Sequence, residues 1–175
     1  FGAVVVLDGA GDVLFSVGDV DVEVYPRSSM KPVQADAMLQ AGFGASSEQL
    51  ALACASHDGT PRHLDIVRSI LADAGLDESA LGNTPDWPLD EASADALIVA
   101  GFDKLPLFMN CSGKHAAMVA TCVHNGWERD GYLDAAHPLQ ARITEHVGRL
   151  MGPVVHVGVD GCGAPAHVVS LRGVA

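Results

Sequence analysis

Positive charge is scarce in this chain. Ten Lys+Arg residues stand against 22 Asp+Glu in 175 positions, giving a formal net charge of −12 and a pI near 4.8. A polyanion would be repelled on approach, which excludes nucleic acid and anionic membrane surfaces as natural partners. Lysine is scarcer still, with only Lys31, Lys104 and Lys114. No apolar run reaches the roughly 18 residues that a membrane helix needs. The opening segment Phe1 to Leu7 has neither the basic flank nor the cleavage site of a targeting peptide. A soluble, cytoplasmic protein is expected. Cys54, Cys111, Cys122 and Cys162 are dispersed rather than spaced as a secreted disulfide framework, so reduced thiols are expected. Internal repeats, low-complexity tracts and linkers are also absent from the sequence.

What is present suits a packed core: 49% of residues are hydrophobic and 18% charged. One domain over residues 1–175 is the simplest assignment. The chain begins without Met on a strand-like segment and stops after Leu171 to Ala175 with no terminal helix or tail, the look of a piece cut from something longer.

The first 25 residues are β-rich. Ala3 to Leu7, Val13 to Val17 and Val20 to Val24 are separated by Asp8-Gly9-Ala10-Gly11 and Gly18-Asp19, which predicts an antiparallel meander. From Ser28 the apolar residues Met30, Val33, Ala37, Met38 and Ala41 recur at helical spacing, with Gly42 as the stop. Further helices are predicted over Ser47 to Ala55, Pro61 to Ala74, Asp90 to Ala100, Lys114 to His124 and Pro138 to Leu150. Asn83 to Pro88 reads as a loop, and Val154 to Val159 and Ala166 to Leu171 as strands. The fold class is α+β, with strands first and a helical region after them.

Four short motifs carry reactive residue types. In Ser28-Ser29-Met30-Lys31 a serine at a helix mouth precedes a lysine by three residues, so the two are expected to touch. A neutral lysine could take the serine proton, and burial near a helix N-terminus disfavours the ammonium form. The same tetrapeptide also fits an N-cap serine followed by an ordinary lysine. Asn110-Cys111-Ser112-Gly113-Lys114-His115 opens a helix with nucleophile, base and donor types crowded together. It lacks the preceding glycine of a phosphate loop, which argues against nucleotide binding. Gly158-Val159-Asp160-Gly161-Cys162-Gly163-Ala164-Pro165 holds Asp160 and Cys162 in a glycine-rich, strand-ending loop. Ser56-His57-Asp58 cannot be a hydrolase triad, because consecutive side chains do not converge. The other histidines, His63, His124, His137, His146, His156 and His167, share no metal-binding spacing and are read as surface or satisfied core residues.

Taken in order with Arg27 and Pro32 flanking the first, these motifs resemble those of the Rhizobium etli-type, thermolabile class 3 L-asparaginases, from Ala3 to the last residue. The resemblance implies a serine β-lactamase-like and glutaminase-like fold and hydrolysis of L-asparagine to L-aspartate and ammonia. It makes Ser28 the nucleophile, Lys31 its base and Ser56 a second catalytic serine, with Arg27 and Asp160 lining the substrate pocket. It places zinc on Cys111, Lys114 and Cys162, and implies a homodimer. It also assigns the lysine partner of Ser56 to a region beyond these residues. Two departures are visible. Gly82 to Pro88 replaces the usual Cys-Gly-x-His-x-Pro run, and Thr60 stands where an acidic residue is common. Two other readings use the same residues: a different serine–lysine acyl hydrolase acting on glutamine or a β-lactam, and a non-catalytic zinc-binding module in which Ser28 is only a helix cap.

Overall fold

The computed structural model describes residues 2–175. Strands β1 (Val4–Leu7) and β2 (Val13–Val17) form an antiparallel hairpin in which Val4 lies opposite Val17. The Asp8 carboxylate closes its turn by accepting from the amides of Ala10 and Asp12. The predicted third strand shortens to β3 (Glu23–Val24) and leaves the hairpin. Gly18, at φ 73, turns the chain away from β2, and the Asp19 carboxylate accepts from the Asp21 amide to complete the turn. The carbonyls of Val20 and Val22 then bond to the amides of Arg172 and Leu171. The expected meander is thus a correction: the described strands form a two-stranded sheet and a separate three-stranded sheet of order β3-β5-β4, with β4 His156–Val159 and β5 Pro165–Ser170.

Between the first and last strands run helices α1 (Lys31–Gln40), α2 (Ser47–Ala53), α3 (Pro61–Asp73), α4 (Glu91–Val99), α5 (Ser112–Asn125) and α6 (Pro138–Met151), with the short α7 (Leu171–Val174) after β5. The mixed α+β class and every predicted helix are present; the differences lie at their ends. A 3-10 turn over Arg27–Met30 precedes α1, so the helix proper opens at Lys31. No side chain caps either segment, which removes a capping role for Ser28. Helix α5 opens two residues earlier than predicted and ends on Gly126, whose φ of 64 makes it a left-handed cap.

Helix α5 is the axis of the core. Its residues Ser112 to Val119 are all buried, with α1, α2, α3 and α6 packed around it. Gly113 permits the approach of α2, since a Cβ there would stand 2.8 Å from the Leu52 carbonyl oxygen. A helix buried on all sides must satisfy its polar side chains internally, and Ser112, Lys114 and His115 therefore need partners brought from elsewhere in the chain. The segment after α2, the 3-10 turn before α1 and the loop between β4 and β5 supply or flank those partners.

Candidate active site

Lys31 is 2% exposed at the start of α1. Its Nζ donates to the Ala55 carbonyl at 2.7 Å and to Ser56 Oγ at 2.8 Å, and Ser56 Oγ lies 2.9 Å from Ser28 Oγ. The amine therefore reaches Ser28 through Ser56, not by the direct contact that the serine–lysine spacing predicts. It also gives Ser56 a lysine partner from within the described residues. Both hydroxyls are exposed while the amine lies beneath them. Burial pulls the Lys31 pKa below the usual lysine value, with the Cys111 sulfur beside it opposing and Lys114 assisting.

Arg27, immediately before Ser28, has φ 52, the one non-glycine residue with positive φ among those described. Such a conformation is costly for a side chain with a Cβ and persists where surrounding contacts hold it. Here its guanidinium meets Asp160 Oδ1 at 2.7 Å, and the same oxygen accepts from the Gly161 amide at 2.8 Å. The carboxylate is 17% exposed and the guanidinium 66%, so the pair sits at the rim with its anion inward.

Cys111, Lys114 and Cys162 are brought together by the first turn of α5 and the β4–β5 loop. Lys114 Nζ lies 3.3 Å from Cys162 Sγ, and all three residues are buried. Cys111 Sγ donates to Asn110 Oδ1 at 3.3 Å. Cys162 is held below the ordinary thiol range, first by the neighbouring Cys111 thiol and then with help from His115 and Lys114, against the cost of burial. Cys111 is raised, as the proton-bearing partner of a buried pair. Among the described residues no three His, Cys, Asp or Glu side chains gather into a metal-binding group, so a metal here would need the lysine amine as third donor. Two soft sulfurs and an amine form a set that could hold zinc, provided the amine is neutral. A small cavity beside this cluster is lined by Arg27, Lys31, Lys114, Asp160 and His167.

Three further side chains support the cluster. His115 packs against Cys162; its Nδ1 is 2.8 Å from the Tyr132 hydroxyl, and its Nε2 makes no hydrogen bond of good geometry. Tyr132 accepts from the Gly82 amide at 3.1 Å. His57 Nε2 lies 2.9 Å from Ser112 Oγ, not beside Ser56 or Asp58, in keeping with the exclusion of a local triad. No sequence signal marks Tyr132, which reaches the site across 17 residues. His57 was visible only as the neighbour of Ser56. His167, read as surface or satisfied core, is buried with Nε2 on Thr144 Oγ1 and Nδ1 unpaired.

Burial pushes His57 and His167 down to about 4 from the ordinary 6.5, with His63 and Lys31 adding to the shift of His57 and Lys114 to that of His167. The unfolded chain then takes up these protons first. The stability each neutral ring contributes is complete above about pH 6.5 and is lost as pH falls toward 4, up to roughly 3 kcal/mol per ring. Urea midpoints measured at pH 7 and pH 4.5 should show this drop, and His167→Gln should shrink it.

The family model described as L-asparaginase II matches residues 1–175. No curated protein matches the chain. No helix among the described residues is long and apolar enough to cross a membrane.

Proposed function

Because the chain belongs to the L-asparaginase II family, we propose that it hydrolyses the side-chain amide of L-asparagine through an acyl-enzyme on Ser28, with Lys31 as base acting through Ser56. The observation that carries this reading is the unbroken chain Lys31 Nζ, Ser56 Oγ, Ser28 Oγ, with links of 2.8 and 2.9 Å. Neutral Lys31 keeps one N–H on the Ala55 carbonyl and offers its lone pair to the Ser56 proton. As Ser28 Oγ attacks the amide carbon, its proton passes to Ser56 and the Ser56 proton to Lys31. The relay then returns a proton to the leaving nitrogen, ammonia departs, and an aspartyl ester remains on Ser28. Water, deprotonated by the same relay, cleaves the ester and regenerates the hydroxyl. Arg27 and Asp160 offer a cation and an anion beside the nucleophile, matching the carboxylate and ammonium of an amino-acid substrate.

The finer family reading goes with this one: the Rhizobium etli-type subclass, a serine β-lactamase-like fold, a single domain, a homodimer in the cytoplasm, and zinc on Cys111, Lys114 and Cys162. Zinc held there would supply a Lewis-acidic charge next to the serine relay. Cys162→Ser should lower the zinc content of purified protein to a small fraction per chain, measured by elemental analysis. Because thiolates and a neutral amine are needed, zinc affinity should fall as pH drops.

The test is ammonia release from L-asparagine and L-glutamine by the wild type and by Ser28→Ala. Turnover of asparagine, abolished by the substitution, supports the reading. Turnover of glutamine or a β-lactam in preference to asparagine would favour a different serine–lysine hydrolase. No turnover of either amide by folded, zinc-supplied protein would leave the non-catalytic metal module standing, and undiminished turnover in Ser28→Ala would remove Ser28 as nucleophile.

A further inference from the structure

We propose that His57 is a positioning residue for this reaction: its Nε2–H tautomer ties the segment carrying Ser56 to the first turn of α5 and fixes the serine relay against the Cys111–Lys114 turn. The inference rests on the asparaginase reading above for its kinetic consequence, and on geometry alone for its hydrogen bonds.

His57 is 4% exposed, and its bonds assign the proton. The Gly59 amide donates to Nδ1 at 3.1 Å, so Nδ1 carries a lone pair. In a neutral imidazole the proton is then on Nε2, which donates to Ser112 Oγ at 2.9 Å. The backbone amide of His57 adds a second link between the same two segments, donating to the Asn110 carbonyl at 3.1 Å. Ser56, the relay residue, precedes His57 in the chain; Cys111 lies between Asn110 and Ser112. The two bonds therefore span from the relay to the residues on either side of Cys111.

The local backbone is shaped for this purpose. Gly59 has φ 77, and a Cβ on it would stand 2.8 Å from Pro88 Cβ and 3.1 Å from the Phe108 carbonyl oxygen. No other residue could sit there and aim its N–H at Nδ1 without displacing a neighbour. The ring lies 5.4 Å from that of His63, tilted by 35°, and is closed off from solvent. A second ring proton would face the Gly59 N–H. The neutral tautomer is the state this environment holds.

Three variants of the full chain separate the possibilities. His57→Leu keeps the volume and removes both bonds; His57→Gln can place an amide N–H where Nε2–H stands; His57→Asn can place a carbonyl only where Nδ1 stands. His57→Leu is expected to lower kcat for asparagine roughly 100-fold, the scale of a misplaced reacting group, with KM changed less than about threefold. Gln should recover to within about tenfold of wild type, Asn should not, and Ser112→Ala should add nothing to the Leu variant. Wild-type kcat in His57→Leu, failure of Gln to outperform Leu and Asn, or full additivity with Ser112→Ala would each overturn the proposal. A purely structural role would lower the melting temperature without this pattern of rescue.

Long-range 1H–15N spectra of the imidazole, recorded without substrate, should show the Nε2–H tautomer at pH 7; the Nδ1–H tautomer overturns the proposal. If the wild type releases no ammonia from asparagine, the asparaginase reading fails on its own. The spectrum and the rate of Ser28 labelling by a fluorophosphonate then decide for His57, with slower labelling in the Leu variant and recovery in Gln expected.

Discussion

Replacing Lys31 with methionine is expected to lower kcat for asparagine by roughly 10³- to 10⁴-fold, the full worth of a general base. Methionine is chosen because it retains an unbranched apolar stem in a site only 2% exposed, where alanine would leave a cavity. What is removed is the amine that bonds to Ala55 and Ser56. Substrate binding, assigned to the Arg27–Asp160 pair at the rim, is untouched, so KM should stay within a few-fold. That split marks a group whose contribution is made in the transition state. A circular-dichroism melt with one cooperative transition would show that the variant folds. A variant that folds and keeps wild-type kcat would remove Lys31 from the mechanism.

The second large effect belongs to Ser56. Ser56→Ala interrupts the relay while leaving Lys31 and Ser28 in place, and kcat should fall roughly 10²-fold or more. The informative measurement is the double variant. If Ser56 works only by carrying a proton between Ser28 and Lys31, Ser56→Ala combined with Lys31→Met should be no slower than Lys31→Met alone. Multiplying losses would mean two independent functions, and the linear relay would have to be abandoned.

Parts of this site are legible in the sequence because they are local. Lys31 follows Ser28 by three residues and Lys114 follows Cys111 by three, so a helical turn alone brings each pair to one side. The contact that organises the relay is not local: Lys31 meets Ser56 across 25 residues, and Lys114 meets Cys162 across 48. Spacing carries no information about such pairs; the family resemblance linked Lys114 to Cys162 but placed the lysine partner of Ser56 beyond these residues. The helices were legible from apolar periodicity, with errors confined to their ends. The third strand was misjudged for a physical reason. The run from Val20 to Val24 has strand composition, yet its partners are the amides of Leu171 and Arg172, and β pairing at that separation leaves no trace in the local pattern. Tyr132 and His57 were hidden similarly, since the role of each depends on an atom contributed by a distant loop or helix.

The net charge of −12 acquires a local reading in this frame. The basic residues near the reaction centre are few and individually placed: Arg27 at the rim, Lys31 under the serines, Lys114 against Cys162. Of these only Arg27 is exposed, so its guanidinium is the charge that an anionic group of a small substrate would meet.

The central claim is that Ser28 forms the covalent intermediate. Rapid acid quench of the wild-type chain turning over L-asparagine, followed by peptide mass mapping, tests it most directly. The account predicts an aspartyl adduct on the peptide containing Ser28, absent from Ser28→Ala and depleted in Lys31→Met. An adduct on another residue, or asparagine turnover that persists in Ser28→Ala, would contradict it.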